Sequence, residues 1–537
     1  MSGRICKLLV FGVFAAVAIG GCKTAKEYRD ERAEYAVKHF EFARYREMME
    51  GQKLSLQECI KMARENNLEL KVAAIEENVA KEMRTAEMLG MLPELNGSYN
   101  FTNRNNTPAS SSRKTADDGL TYGYSTSQDR TINYFNVDLA LSVVDFGLAF
   151  FNTQQARDRV MIREQRTRRV AQNLTFDVVK TYFQVAAAQR AIKITTGLLE
   201  DCRNRYQLIE KLSKSRAITP FRAFDETKRF VEMEKRLTNY IRNYENNCVE
   251  LRALLGLDPS GKILVDDACL GVVPKMEFPE LVLMEQIALL ERPELYEADI
   301  RKHINVVECR KELVKMIPSA RMFVDYNHND NSYLYHNTWY SIGINAAYNL
   351  LKLPKDIATY VARTSMVEAE AQRTYSIGIG IMAQVRISHC NLRSVNERFA
   401  IDNRVYETYK KNLSWAVANR RIAGDMSRLE LDRMRLETAE KEIERIISLG
   451  NVYVANFQML NTLGVSKIDS DSVDVLKGEL SAARLRAEGE LAKAEVAYNS
   501  KLSGTDKKQA EENKKVFDLV NQPLTTLGNS DYITVGL

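Results

Sequence analysis

Proline and glycine are scarce in this chain, with 10 prolines and 25 glycines among 537 residues. Because both residues interrupt helices, their scarcity favours long uninterrupted helices. The formal net charge of +5 is nearly balanced for this length, so composition gives no indication of a nucleic-acid partner.

Sequence patterns that carry chemistry are also missing. The 8 cysteines include no Cys-x-x-Cys pair, and the 5 histidines form no ligand cluster. There is no His-Glu-x-x-His, no complete phosphate-binding glycine loop and no Gly-x-Ser-x-Gly. We therefore predict no enzyme activity, no catalytic residue, no cofactor and no metal site.

The beginning of the chain has the pattern of an export signal. Basic residues precede an apolar run over residues 8–19, and Gly20 and Gly21 come directly before Cys22. This order is typical of a secretory signal, and the run is shorter than the roughly 20 residues that span a bilayer. The stretch resembles the lipobox of bacterial lipoproteins, which implies cleavage before Cys22 and a lipid such as palmitate on its sulfur. An ordinary signal followed by an incidental cysteine is the alternative.

The chain contains two copies of one unit. Pro93 corresponds to Pro318 at a separation of 225 residues (318 − 93), and Gly256 corresponds to Gly464 at a separation of 208 (464 − 256). A repeat of about 200 residues is longer than those of solenoid proteins. We therefore expect two structurally equivalent halves within one chain.

Each copy has two segments in which apolar and polar residues alternate. Val137 and Leu139, for example, alternate with Asn136 and Asp138. Such segments are typical of transmembrane β-barrel strands, but a soluble sandwich with one buried face shows the same pattern. The export signal and the long helices favour the barrel. The predicted strands are about 95–102, 133–143, 320–328 and 339–350. The residues that we place on the pore side are Asn136, Asp138, Asn345 and Asn349.

Long helices follow each pair of predicted strands. Residues 148–213 and 355–420 contain no proline, and each stretch would extend about 100 Å as a helix. The segments that follow carry apolar residues at spacings of three and four, as at Phe230, Met233 and Leu237, which is typical of a coiled-coil seam. The predicted coiled-coil hairpins are about 148–255 and 355–463.

Four strands are too few to close a membrane barrel, for which eight is the usual minimum. A membrane also forbids unpaired strand edges, so several chains must contribute strands, and three chains would give twelve. The predicted organisation is a signal peptide over 1–21, an N-terminal anchor segment over 22–53, repeats over 54–278 and 279–465, and a C-terminal helical extension with a flexible tail over 466–537.

The order and spacing of these elements resemble the TolC-like outer-membrane efflux protein family over about 54–465. The resemblance rests on LSLQECIKMARENNLELKVA, MLPELNGSYNF, VDLALSVVDFG and ALLGL, together with the duplication. It implies a mainly α fold with a membrane β-barrel, in which a homotrimer forms a twelve-strand barrel in outer-membrane lipid and a twelve-helix tunnel in the periplasm. It also implies the exit duct of a tripartite efflux or type I secretion system, with a periplasmic adaptor and an inner-membrane pump as partners.

The resemblance also implies roles for the two hairpin tips. The residues at the tips that would contact the adaptor are Ala217, Ile218, Thr219, Ile422, Ala423, Gly424 and Met426. The family narrows its periplasmic entrance with acidic residues beyond the second tip, and the matching positions make Glu430, Asp432 and Arg433 gate candidates. Arg433 departs from the acidic pattern, and we expect it to pair with Glu430 or Asp432.

A second function class is a structural coiled-coil lipoprotein of the periplasm, such as an adaptor or an envelope spacer. It explains the predicted lipid and the long helices. It does not explain four alternating strands at equivalent places in a duplication, so we favour the channel.

Overall fold

The computed structural model describes residues 24–45, 53–111, 123–216, 218–261, 263–423, 428–465, 474–486 and 488–489. The predicted signal peptide and Cys22 lie outside these residues. The chain divides into two compact units, Met1–Ser466 and Lys467–Leu537. In the second unit, residues 474–486 are helical.

The first unit repeats one order of elements twice: a pair of helices, a β-hairpin and a long helical hairpin. The helices are α1 (Ala25–Tyr45), α2 (Leu56–Asn66), α3 (Leu68–Leu89), α4 (Val143–Lys214), α5 (Pro220–Leu254), α6 (Leu281–Glu291), α7 (Pro293–Lys315), α8 (Leu353–Ala423) and α9 (Arg428–Leu463). The strands are β1 (Lys53–Leu54), β2 (Glu94–Asn103), β3 (Thr131–Ser142), β4 (Leu264–Val265), β5 (Ser319–Asn329) and β6 (Thr338–Ala347).

Each repeat begins with two helices, although periodicity predicts one helix that ends at a proline. Asn67 separates α2 from α3 because its backbone is extended and its side-chain oxygen accepts the N–H of Leu70 at 3.0 Å. Arg292 separates α6 from α7 in the second repeat, and Pro293 opens the new helix. The two bends are 225 residues apart (292 − 67), the separation that the sequence comparison gives for this part of the repeat.

The helical hairpins contain the core of the first unit. Helix α4 has 72 residues and α8 has 71, and they return through α5 with 35 residues and α9 with 36. The predicted seam is buried, as at Phe230, Met233 and Leu237. Helix α9 also packs against α4, so the two hairpins lie side by side.

The four long strands form one antiparallel sheet in the order β2–β3–β5–β6. They lie where the alternation predicts them, with ends that differ by one to three residues. Strand β3 continues directly into α4, where the Ser142 hydroxyl accepts the N–H of Asp145 at 3.3 Å and caps the helix. Strands β2 and β6 are the edges of this sheet.

A short parallel pair, β1 with β4, lies on α4. The Tyr182 hydroxyl donates to the carbonyl of Asp266 at 2.8 Å, and the Gln189 amide bonds the backbone N–H and C=O of Val265 at 3.0 Å each. These bonds fix the end of the first repeat against its longest helix, and the pairing of β1 with β4 brings the start of the repeat to the same place. Within the described ranges, no helix is long and apolar enough to cross a membrane.

Candidate functional site

One face of the sheet is polar along β3 and β5. Asn136 lies opposite Asn327, and Asp138 lies opposite Asp325, and opposed residues of antiparallel strands share a face. The Asn136 amide donates to the Asn327 side-chain oxygen at 3.0 Å, and Arg321 donates to the Asp138 carboxylate. Side chains of one strand therefore hold those of the next in a polar layer.

Strand β6, at one edge of the sheet, carries only one of the two polar residues that we predicted for this face. Asn345 lies opposite Arg321 and so belongs to the polar face. Asn349 does not, because β6 ends at Ala347 and the Asn349 side chain instead accepts the N–H of Leu351 at 3.1 Å, at the start of a short 3-10 helix.

The opposite face of the sheet is apolar and exposed. Leu139, Val324, Ile342 and Ile344 fall on it by the same register, and all four are exposed. A sheet of strands about ten residues long, with one polar face and one exposed apolar face, has the pattern of a sheet between water and lipid.

The first helical hairpin turns at Arg216. This residue has a left-handed backbone with φ of 57°, a conformation that costs a residue other than glycine roughly 1–2 kcal/mol. The next helix is well capped, because the Thr219 hydroxyl accepts the N–H of Arg222 at 3.4 Å and Pro220 fills the first helical position.

The side chains at the first tip differ from those that we assigned to it. Ala217 lies outside the described residues, Ile218 is half-buried against the hairpin core, and Thr219 serves as the cap. Phe221 is 82% exposed and Phe224 is 69% exposed. The sequence analysis missed these two rings, although two aromatic residues one turn apart after a helix-starting proline are visible in the sequence.

The second tip is described only in part. Helix α8 ends at Ala423, while Gly424 and Met426 lie outside the described residues, as do the side chains of Ile422 and Ala423. Two turns before the end of α8, Trp415 is 64% exposed. Both hairpins therefore expose aromatic rings near their tips.

All three gate candidates form ion pairs with the first hairpin. Asp432 is only 7% exposed, and its Oδ2 lies 2.7 Å from Nη2 of Arg205 on α4. Arg433 Nη1 lies 3.5 Å from Oε1 of Glu226 on α5, and Glu226 is also buried. Within the described residues Arg433 thus pairs with Glu226 and, one turn further along α9, with Glu437 at 3.6 Å, instead of the expected Glu430 or Asp432.

Two further pairs continue this contact between the hairpins. Glu430 Oε1 lies 3.6 Å from Nη2 of Arg222, and Arg236 Nη2 donates to Oε2 of Glu440 at 3.0 Å. The hydrogen bonds of Glu440 raise the pKa of the Arg236 guanidinium. Four ion pairs thus connect α9 with α4 and α5, and they oppose any separation of the hairpins near their tips.

No group of three or more His, Cys, Asp or Glu side chains in the part that the structure describes is placed to hold a metal ion.

Residues 59–257 match the model of the family described as outer membrane efflux protein. No curated protein matches the chain. The open state of the Neisseria gonorrhoeae MtrE outer membrane channel is 14% identical, with 76% of this chain and 89% of that chain covered and a TM-score of 0.61. CusC is 15% identical, with 76% and 92% covered and a TM-score of 0.60. The Campylobacter jejuni CmeC outer membrane channel is 13% identical, with 78% and 89% covered and a TM-score of 0.58.

Proposed function

We propose that this chain, which belongs to the outer membrane efflux protein family over residues 59–257, is the exit channel of a tripartite efflux or type I secretion system. The observation that carries the proposal is the two-faced sheet joined to helices of 72 and 71 residues, directly at α4 and through a short 3-10 helix at α8. The sheet suits a bilayer, and each helix extends about 105 Å into the periplasm. A structural spacer would need such helices but not such a sheet.

A homotrimer is supported by the outermost strands and helices of a single chain. The sheet runs β2–β3–β5–β6, and the helices beside it pack in the order α3–α4–α7–α8. The outermost elements of both rows can bind a second copy. Strands β2 and β6 are edge strands, and α3 and α8 carry exposed apolar stripes. The stripe residues are Leu68, Val72, Ile75, Val79 and Met83 on α3, and Ile357, Val361, Tyr375 and Ile379 on α8.

Placing α8 and β6 of one copy against α3 and β2 of the next pairs the edge strands and buries the apolar stripes at the same time. Three copies then give twelve strands, enough to close a barrel without unpaired edges in the membrane.

The tips are proposed to dock a periplasmic adaptor that is coupled to an inner-membrane pump. Phe221, Phe224 and Trp415 are exposed aromatic rings near the turns, and buried aromatic anchors dominate many protein interfaces. Ala217, Gly424 and their neighbours at the turns would let the backbone of the adaptor come close. The ion pairs between the hairpins are proposed to hold the tunnel entrance closed until docking.

A lipid anchor is a further part of the proposal. Cys22 would carry the lipid that ties the protein to the outer membrane, in addition to the barrel. Labelling with a radioactive fatty acid should fail in Cys22→Ser while oligomers still assemble. Label retained in that variant would reject Cys22 as the attachment site.

The channel itself is tested by single-channel recording of the purified full chain in planar lipid bilayers. We expect discrete conductance steps from the oligomeric fraction and none from the same sample after heating to the monomer. A protein that is washed from membranes after removal of its lipid, and that gives no conductance, would overturn the channel and favour the structural lipoprotein.

A further inference from the structure

A cavity of about 310 Å³ lies where α4, α5 and α9 meet. Its volume falls within the range of small-molecule sites, about 300–1,000 Å³. Four of its eleven lining residues carry side-chain amides: Gln184, Asn243, Asn247 and Asn451. Small residues leave the space between the helices: Ala187, Ala188, Ala191 and Gly450. A Cβ at Gly450 would lie 3.2 Å from the Cβ of Ala187, so α4 and α9 are in close contact on one side of the cavity.

The four amides are not used by the protein itself. None of them makes a hydrogen bond within the described residues. Asn243 on α5 and Asn451 on α9 are 208 residues apart (451 − 243), the separation of Gly256 and Gly464. Equivalent positions of the two repeats therefore lie on the two helices that pack against α4. Each amide has both donor and acceptor atoms, so the four together are open to a ligand that supplies both kinds of group.

The lining of the cavity carries no charge. None of its eleven residues is acidic, basic or histidine, although 27% of the residues of the chain are charged. A charged ligand would lose its water in this cavity without gaining an opposite charge, which is unfavourable. The cavity therefore suits an uncharged ligand with hydroxyl or amide groups on one side and an apolar surface against the alanines and Ile447.

The cavity lies away from the surfaces that we propose to join the copies. Neither α3 nor α8 contributes a described residue to its lining. On α5, the exposed Val231 and Val249 lie nine residues before and after Tyr240 of the lining (240 − 231; 249 − 240), which is half a turn around the helix. A second copy that covers these valines approaches α5 from the side opposite the cavity, so the cavity stays open in the oligomer.

The cavity also lies on the side of α4 opposite the β1–β4 pair. Tyr182 donates to the carbonyl of Asp266, directly after β4, at 2.8 Å. Gln184 and Ala191 of the lining follow Tyr182 by two and nine residues (184 − 182; 191 − 182), about half a turn around the helix. In the proposed oligomer the long helices form the wall of a tube, so the β1–β4 pair lies outside the tube and the cavity opens into its lumen.

We propose that this cavity binds an uncharged sugar of monosaccharide size. A pyranose ring has hydroxyl groups around its edge and C–H groups on its faces. Its edge therefore matches the amides, and one face matches the apolar part of the lining. The place of the site in the lumen rests on the proposed channel function, whereas the binding depends only on the cavity.

The test is saturation-transfer difference NMR on the full-length oligomer in lipid nanodiscs, after extraction in a detergent that contains no sugar. The probes are the methyl glycosides of glucose, galactose and N-acetylglucosamine. We expect at least one of them to bind, and to bind about three- to tenfold more weakly in Asn247→Leu. The matched control is Asn246→Leu, because Asn246 is exposed on the same helix and does not line the cavity. No binding of any probe, or equal weakening in both variants, would overturn the proposal.

Two further measurements examine the space and the charge of the site. Ala188→Phe should abolish binding by filling the cavity while all four amides remain. The methyl glycoside of glucuronic acid, which carries a carboxylate, should bind more weakly than the best of the three probes. Unchanged binding in Ala188→Phe, or equally tight binding of the glucuronide, would refute the site.

Single-channel recording of the same protein separates this proposal from the channel itself. Normal conductance steps without sugar binding would reject the site and leave the channel. Sugar binding without conductance would reject the channel, and with it the place of the site in a lumen, but leave the site.

Discussion

In the first repeat the bend between α2 and α3 lies at Asn67, and in the second the bend between α6 and α7 lies at Arg292. Asn67 ends one helix and caps the next through its own side chain. Arg292 is 4% exposed, and its guanidinium donates to Gln384 at 2.5 Å and to Glu294 at 3.0 Å. A local cap in one repeat thus corresponds to a buried charge network in the other.

The ends of the repeats are, by contrast, built alike. Gly256 and Gly464 have φ of 69° and 78°, and each follows the last turn of a long helix. In both places the next residue donates its N–H back across the turn, Leu257 to Arg252 at 2.9 Å and Val465 to Leu460 at 3.2 Å. A left-handed backbone favours glycine, although Arg216 adopts one at the first tip, whereas a bend can be made by any residue that ends a helix. The shared architecture therefore favours one residue type at the repeat ends and none at the bends.

The largest loss of stability at either bend should come from Arg292→Met. The change removes two charge-assisted hydrogen bonds from a buried site, each contributing about 1.5–3 kcal/mol, and should destabilise the fold by about 3–5 kcal/mol. Glu294 keeps its ion pair with Arg169 at 2.9 Å. Urea denaturation followed by circular dichroism measures the loss. Arg310→Met is the control, because Arg310 is exposed on the same helix α7, and it should change stability by less than about 0.5 kcal/mol. A small effect at Arg292 would show that the charge network is not needed for the bend.

The strands should respond alike in the two repeats, at a somewhat smaller cost. Val137→Arg in β3 and Ile344→Arg in β6 each put a charge on the proposed lipid face, which costs about 2–4 kcal/mol near the middle of a bilayer. The yield of heat-stable oligomer in membranes should fall for both. Asn136→Arg and Asn345→Arg, one residue away on the polar face, should assemble nearly normally. The reverse order of yields would exchange the two faces of the sheet.

Much of this sheet and of the long hairpins can be predicted from the sequence, because their apolar residues recur at regular intervals. Alternation along Asn136, Val137 and Asp138 places the faces, and the seam from Phe230 to Leu237 places a core. These features depend only on residues a few positions apart. The bend at Asn67 was missed because the apolar spacing of the first helix continues through it.

The ion pairs between the hairpins could not be predicted for a different reason. Arg205 and Asp432 are 227 residues apart (432 − 205), and only the packing of α9 on α4 brings them to 2.7 Å. We expected Glu430 to pair with Arg433 because the spacing of residues in a sequence identifies neighbours only within one helix. To predict contacts between two helices, one must know how each helix is rotated about its own axis. A periodic pattern gives this rotation only approximately.

A smaller effect is expected at the bend of the first repeat. Asn67→Ala removes the side-chain cap of Leu70 and should destabilise the protein by about 1 kcal/mol, whereas Asn67→Asp should retain most of the cap. The same urea titration measures both. A loss as large as that at Arg292 would mean that the two bends are equivalent in energy, despite their different chemistry.

The smallest change in free energy should come where the two repeats meet. The pair of Arg433 with Glu226 joins α9 of the second repeat to α5 of the first across 3.5 Å, and a partly exposed pair of this kind contributes at most about 1 kcal/mol. Arg433→Ala would still shift a closed–open equilibrium by up to about fivefold.

Single-channel conductance in planar bilayers should therefore rise in Arg433→Ala. Arg435→Ala is the matched control, because Arg435 pairs within α9 with Asp432 at 3.5 Å and is more exposed. Its conductance should stay close to that of the unaltered protein. If Arg433→Ala assembles into normal oligomers and its conductance does not change, the Arg433–Glu226 pair does not hold the tunnel closed. The remaining pairs, first of all Arg205 with Asp432, would then be the contact to break next.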